Sequence, residues 1–512
     1  MDVRISIKQN LAFTFGSQFY MALIGIVMLP FYVEALGVEA YGLVGLFIAF
    51  QSLLTLLDFG LSATLMREAA RFRASAASAE SVGALLRFIE ALFLLLAACA
   101  AIGTWFGAPA IVDGWLKNEG VSNAEAIQAI RQMGLVLALR LMAIPYRALL
   151  TGFEDLRWLG IFNASITTFR SVLVMAPLWW LAPTLQTFFS WQTAAGAIEV
   201  LLLMFRAYRS SVPLPPFGLP GLAAVAPHWR FSLSLAAGAA IWTVMTNVDK
   251  AVLSGWLPLS EYSRFSIAVT AAGGVVLAIG PIGLASGPRF ASLHAAGNDD
   301  AADELYGQVT QLTACIAFAA ALTLAFFPTE VLWAWTGNSN LAQQASLVLS
   351  LYALGNGVLA IGALPFQLQM AAGQLRLHLT GMALFITLLL PLLWIATRRY
   401  GMDGPGMAWL ATNLAFVLLW LPVLHRRFLG LPHTRWLLRD VIVVLLPPAI
   451  VGALLRYALP WTGNRLLTVF ELLTIGSTLL LAAFIGSWRL RSGLLRWLRP
   501  ADGLGEGEHV RK

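Results

Sequence analysis

Apolar runs of membrane-spanning length recur from Leu11 to Trp488, separated by short polar stretches that hold most of the charge. At ~20 residues per spanning helix, the runs predict fourteen transmembrane helices. These lie at approximately 11–33, 41–63, 84–107, 130–150, 158–182, 184–206, 230–256, 263–287, 305–327, 343–371, 376–397, 403–425, 437–459 and 465–488. The connections left over are short, so no sizeable extramembrane domain fits. Composition sharpens the picture: the 512 residues are 59% hydrophobic and 12% charged, against ~25% charged in a soluble domain, and the mean hydropathy is +0.76. One soluble core cannot hide that much apolar surface. The first run follows Arg4 and Lys8, exceeds the length of a leader's apolar region and lacks a small-x-small exit. It is expected to be a retained first span.

An even number of spans puts both ends on one side, and the basic residues say which. Most of the 33 Lys and Arg flank spans on the N-terminal side, Arg147 and Arg206 among them. Lys117, Arg131, Arg264, Arg398, Arg399, Arg456 and Arg465 fall opposite, while Arg140, Arg170 and Lys250 fall inside spans. By the positive-inside rule both termini are expected in the cytoplasm. The net charge of +7 then serves topology and anionic lipid, not nucleic acid. Cys99 and Cys315 lie in apolar runs and are expected to remain thiols.

The chain also repeats itself. Leu36–Tyr41 (LGVEAY) enters the second span as Leu257–Tyr262 (LPLSEY) enters the eighth. Ile144-Pro145-Tyr146 before Leu156-Arg157 has a counterpart in Leu364-Pro365-Phe366 before Leu375-Arg376 at a similar offset. That offset carries spans one to six onto spans seven to twelve, so two parallel copies related by an axis along the membrane normal are expected. The resulting organisation is a six-helix lobe over 1–210, a Pro-rich cytoplasmic linker over 211–229 and a second six-helix lobe over 230–430. An extra hairpin over 431–490 and a basic tail over 491–512 complete it. The fold class is an all-α integral membrane protein.

Several chemistries are excluded. The lysines are Lys8, Lys117, Lys250 and Lys512, and none follows a glycine, so no Walker A loop exists to cradle phosphates. All six histidines map to the cytoplasmic side or tail, and no Asp-x-Asp occurs. A membrane glycosyltransferase or polymerase acting outside is therefore disfavoured, and no enzyme activity, cofactor or metal is expected. The positive signal is charge at membrane depth. Arg140 and Arg170 fall near the centres of adjacent antiparallel spans, where an ionised Arg costs at least ~2.5–3.5 kcal/mol on insertion scales. They form either a cationic site for an anionic substrate, since guanidinium suits phosphate oxygens, or a structural ion pair with Glu199. Asp249 and Lys250 are neighbours in the seventh span, about 100° apart on the helix. Asp58 sits in the inner third of the second span, either as a functional carboxylate or as a hydrogen-bonded structural one, and Arg67 ends that span. Arg87 and Glu90 are expected to be solvated at the inner interface. The eighth span holds Gly273, Gly274, Gly280, Pro281, Gly283, Gly287 and Pro288, so a bend or a close approach is expected there.

Tyr41-Gly42, Leu57-Asp58-Phe59-Gly60-Leu61 and Arg67 resemble the second-span signature of polysaccharide biosynthesis flippases. These lipid-linked oligosaccharide exporters share the multidrug/oligosaccharidyl-lipid/polysaccharide exporter superfamily with MATE antiporters and the lipid II flippase. Asn247-Val248-Asp249-Lys250 with Tyr262, and Ala372-Gly373-Gln374-Leu375-Arg376, are similar to later motifs of the same family. The resemblance covers residues 5–430. It implies two six-helix lobes with alternating access, the bacterial inner membrane, and cargo carried on undecaprenyl diphosphate. It also implies that spans 1, 2, 7 and 8 line the cavity, placing Asp58, Arg67, Asp249 and Lys250 near it. Arg140, Arg170, Lys250 and Arg67 are the expected substrate-binding residues; Asp58, Asp249 or Glu199 would carry a coupling proton or sodium ion. Membrane lipids are expected partners, as are a polysaccharide polymerase and chain-length machinery. The competing readings are a cation-coupled drug exporter, which favours acidic, aromatic cavities, and a lipid II flippase. The absence of a basic residue between Leu11 and Val33 argues against the latter.

Overall fold

The computed structural model describes residues 7–75, 78–117, 120–209, 229–430, 432–459 and 463–492. The Pro-rich linker through His228 and the tail from Gly493 lie outside the described residues. Those described are almost all helical, and the only β feature among them is an isolated bridge between Lys117 and Pro258. Among the described residues, twelve stretches are long and apolar enough to cross a membrane. Large apolar side chains such as Trp180, Tyr457 and Leu466 face outward from them. Such a surface is stable only against lipid, with every helix satisfying its own backbone. The chain is a multi-pass membrane protein.

It divides into two compact units, Met1–Ile267 and Ala268–Lys512. The first contains α1 (Ile7–Leu36), α2 (Val38–Leu53), α3 (Leu61–Arg73), α4 (Ala79–Gly114), α5 (Asn123–Gly152), α6 (Leu156–Thr167), α7 (Met175–Trp180), α8 (Leu185–Arg209), α9 (Trp229–Trp256) and the start of α10 (Leu259–Ala295). In its interior α5 packs against α3, α4 and α8, around Leu65, Leu86, Phe93, Leu141 and Leu203. Ser122 caps α5 by accepting from the Glu125 amide at 3.2 Å, which satisfies one of the otherwise orphaned first-turn donors.

The second unit continues α10 and adds α11 (Asp299–Phe326), α12 (Pro328–Thr336), α13 (Ser339–Gly362), α14 (Pro365–Ala371), α15 (Arg376–Tyr400), α16 (Gly404–Ala415), α17 (Leu421–Phe428), α18 (His433–Trp436), α19 (Val443–Ala458) and α20 (Arg465–Gly486). Here α11 is central, packing against α13, α19 and α20. A buried polar knot ties the last helices to it. Asp440 Oδ1 accepts from Gln311 Nε2 at 2.8 Å and Arg489 Nε at 2.9 Å. Gln311 Oε1 in turn accepts from Ser487 Oγ at 2.7 Å and the Arg489 amide at 3.0 Å.

Two local expectations change. The second span is not one helix: α2 ends in a 3-10 turn, Leu54–Asp58, and the helix is broken at Phe59 (φ 48°) and Gly60 (φ 70°) before α3. Only glycine adopts that left-handed geometry without strain, and Asp58 secures the restart by capping α3. The glycine- and proline-rich eighth span lies within α10, which remains helical through Pro281 and Pro288, and the close approach expected there is found at two of its glycines. Gly283 and Gly287 there face the Gln367 side chain, whereas Gly273, Gly274 and Gly280 face open space. Arg87 and Glu90 are also not solvated. They form a 2.9 Å pair with both side chains about nine-tenths buried, and the Tyr208 hydroxyl bridges them.

Candidate functional site: a guanidinium cluster around Glu199

The site lies in the first unit, where α5, α6 and α8 meet. Arg140 and Arg147 are seven residues apart on α5, two turns of helix, and therefore share a face. Glu199 is buried on α8. Its Oε1 accepts from Arg147 Nη2 at 2.5 Å and its Oε2 from Arg170 Nη1 at 3.2 Å. Arg147 also donates to Asn163 Oδ1 on α6. Arg140 lies within electrostatic reach of Arg170, Glu199 and Arg147. Its guanidinium carbon is 5.6 Å from the centre of the Phe47 ring, and its buried Nε has no hydrogen-bond partner.

Arg170 reaches the cluster from an irregular segment. Between α6 and α7 the helix widens to a π turn, Thr168–Val172, with the Leu173 amide bonding the Thr168 carbonyl at 3.1 Å. Such turns are short insertions that often mark functional positions.

Two guanidinium groups thus contact one carboxylate, and a third, on Arg140, lies within electrostatic reach of it. The arrangement leaves an excess of positive charge in membrane-spanning helices. A fully paired site would be electrically closed; this one retains capacity for an anion, and the planar forks suit oxygens of phosphate or carboxylate. Of the alternatives read from sequence, the ion pair with Glu199 is formed by Arg170, whereas Arg140 forms none among the described residues. Arg147, counted from sequence only among the basic residues near span ends, was not expected in the site: it lies inside α5 and makes the shorter of the two contacts to Glu199. The seven-residue spacing from Arg140 was the available signal.

The other candidate residues sit elsewhere in the same unit. Asp58 accepts from the Ser62 amide at 3.1 Å and the Ser62 hydroxyl at 2.5 Å, which is a helix-capping geometry. Arg67 is exposed on α3. Asp249 is buried on α9, with Lys250 Nζ 3.8 Å from its Oδ1. That ammonium donates more closely to the Thr246 carbonyl, at 2.6 Å, so the two neighbours do not simply point apart. Among the described residues no group of three or more His, Cys, Asp and Glu is placed to hold a metal ion.

In fold, the chain is similar to a structure of the lipid II flippase MurJ in an inward closed conformation: TM-score 0.71, 16% identity, covering 95% of this chain and 100% of that one. It is also similar to an inward-facing multidrug resistance MATE family transporter of the MOP superfamily: TM-score 0.63, 14% identity, covering 80% and 94%. A MOP superfamily transporter from Pyrococcus furiosus, described as having a binding pocket of reverse polarity, matches with TM-score 0.55 and 14% identity over 84% and 95%. No curated protein sequence matches significantly. Residues 7–294, more than half the chain, match the polysaccharide biosynthesis protein family. With the helical membrane fold and its superfamily likeness in place, that match establishes the lineage: the chain belongs to the polysaccharide biosynthesis protein family.

Proposed function

We propose that this protein is a flippase that moves polyprenyl-diphosphate-linked oligosaccharide across the bacterial inner membrane by alternating access, supplying a surface polysaccharide. The observation that carries the reading is the net positive cluster in which Arg147 and Arg170 pair with Glu199 and Arg140 lies within electrostatic reach. A flippase must shield a diphosphate headgroup while the polyprenyl tail stays in lipid, and cations inside the bilayer meet the first need at a cost a purely structural helix avoids. Family membership supports the cargo class. A drug exporter of the same fold would favour acidic cavities, whereas this cluster is net basic.

Lys250 and Arg67 remain proposed headgroup contacts, reached as the cargo moves. With no nucleotide motif in the chain, a proton or sodium gradient is the proposed energy source. Asp58, Asp249 and Glu199 are the proposed coupling carboxylates. Both termini face the cytoplasm in this reading. A lipid II flippase is the second reading, favoured by the fold likeness.

The test is loss of the protein in its native host. Lipid-linked oligosaccharide is expected to accumulate on the cytoplasmic leaflet, with less surface polysaccharide. Arg140→Ala is expected to abolish transport and Arg170→Lys to retain part of it, because Lys keeps the charge without the fork. Unchanged lipid intermediates together with raised dye sensitivity would replace this reading with the exporter. A block in peptidoglycan precursors alone would favour the lipid II reading.

A further inference from the structure

The π turn that carries Arg170 is held from outside. Its three consecutive carbonyls, at Phe169, Arg170 and Ser171, each accept a hydrogen bond from a side chain of another helix. Trp191 Nε1 on α8 donates to the Phe169 carbonyl at 2.9 Å, and Gln192 Nε2 donates to the Arg170 carbonyl at 3.3 Å. The Tyr32 hydroxyl on α1 donates to the Ser171 carbonyl at 2.5 Å. A fourth contact links the Tyr20 hydroxyl on α1 with Thr168 Oγ1 at 2.7 Å. Tyr32 and Gln192 are both more than nine-tenths buried, so these are not incidental surface bonds.

A widened turn leaves carbonyls without their usual amide partners, and in lipid-embedded helices an unsatisfied carbonyl is costly. The side chains of α1 and α8 supply what the helix gives up. The geometric consequence falls on Arg170. Each residue turns a helix by about 100°, so healing the bulge by one residue would swing Arg170 away from the face it now shares with Glu199. The Gln192 amide oxygen is itself buried without a partner. The side chain is therefore kept for its donor end.

We infer that Tyr32 and Gln192 are positioning residues: by holding the π turn open they aim the Arg170 guanidinium at Glu199 and at the anionic headgroup. The inference rests on the flippase reading for the identity of that anion. It also means that α1 and α8 both bear on where Arg170 points, so a shift of either helix changes the headgroup site.

The experiment measures binding of undecaprenyl diphosphate to the purified full-length protein in nanodiscs, with thermal unfolding as a control. Tyr32→Phe and Gln192→Met each delete one donor and keep the packing volume. Losing one hydrogen bond that orients a charge is expected to weaken binding about three- to tenfold, with little change in unfolding temperature. In an Arg170→Ala background, already weakened, the same changes are expected to add nothing, because the group they aim is gone. Should Tyr32→Phe misfold, Gln192→Met carries the test alone. Wild-type binding in both single variants, or effects fully additive with Arg170→Ala, would overturn the positioning role while leaving the headgroup site intact. Wild-type binding by Arg170→Ala itself is a different result: it removes the headgroup reading, and the positioning role with it.

Discussion

The two buried charge networks of this protein are built on opposite terms. In the second unit, Asp440 meets one cation, Arg489, and the same carboxylate oxygen accepts from Gln311, whose own oxygen accepts from Ser487 and a backbone amide. Gly307 on α11 leaves the space the Arg489 guanidinium fills. Charge balances, donors match acceptors, and the knot fastens the segment after α20 to α11. In the first unit, two arginines pair with Glu199, and a third, Arg140, lies within electrostatic reach and keeps a buried nitrogen unpartnered. Closed networks of the first kind are what a membrane protein uses to hold helices together. An open one costs stability and is retained where it does something else.

Three substitutions test that contrast. The largest expected effect on stability is Asp440→Ala, which strands Arg489 beside a protein interior and leaves Gln311 half-satisfied. Breaking such a pair costs about 3–5 kcal/mol, read as a large drop in unfolding temperature and in membrane yield. Transport per folded molecule should be nearly unchanged. If Asp440→Ala folds normally, the knot is not the fastening it is taken for here.

Glu199→Gln should be milder. Arg147 and Arg170 keep partial access to water, with side-chain exposures of 32% and 18%, so about 1–3 kcal/mol is expected from the lost charge-assisted bonds. Undecaprenyl diphosphate should bind more tightly, because the carboxylate no longer competes for the guanidinium groups. Weaker binding would instead make Glu199 an orienting group that the site requires. A double Arg170→Gln, Glu199→Gln variant that recovers full transport would return the pair to a structural role.

The smallest stability change is expected for Arg140→Gln, since Arg140 makes no ion pair among those described. Thermal unfolding should move by less than about 1 kcal/mol, within the range of substitutions that break no network. Transport should nevertheless fall more than about tenfold, the equivalent of 1.4 kcal/mol. Full activity in a well-folded Arg140→Gln protein would leave the cluster's positive excess without a use.

What was legible in the chain follows from how local each property is. Whether a stretch enters a membrane depends on the transfer free energy of its own residues, so the apolar runs alone determined the membrane class and the location of most spans. The same reasoning singled out Arg140 and Arg170 as costly at membrane depth and Glu199 as a counter-ion within reach. Which helix faces meet is a different quantity, decided by packing between segments far apart in sequence. Arg147 joined Glu199, and Asp440 joined Arg489, because α5 faces α8 and α19 faces α20. Local composition also misdirects where backbone geometry has several solutions. The glycine-rich α10 stays helical through two prolines, while the second span breaks at Phe59-Gly60, where Asp58 accepts from the Ser62 amide in the first turn of the next helix. The π turn at Arg170 had no marker in its own five residues. Its carbonyls accept from Tyr32, Trp191 and Gln192, side chains that only the tertiary fold brings alongside.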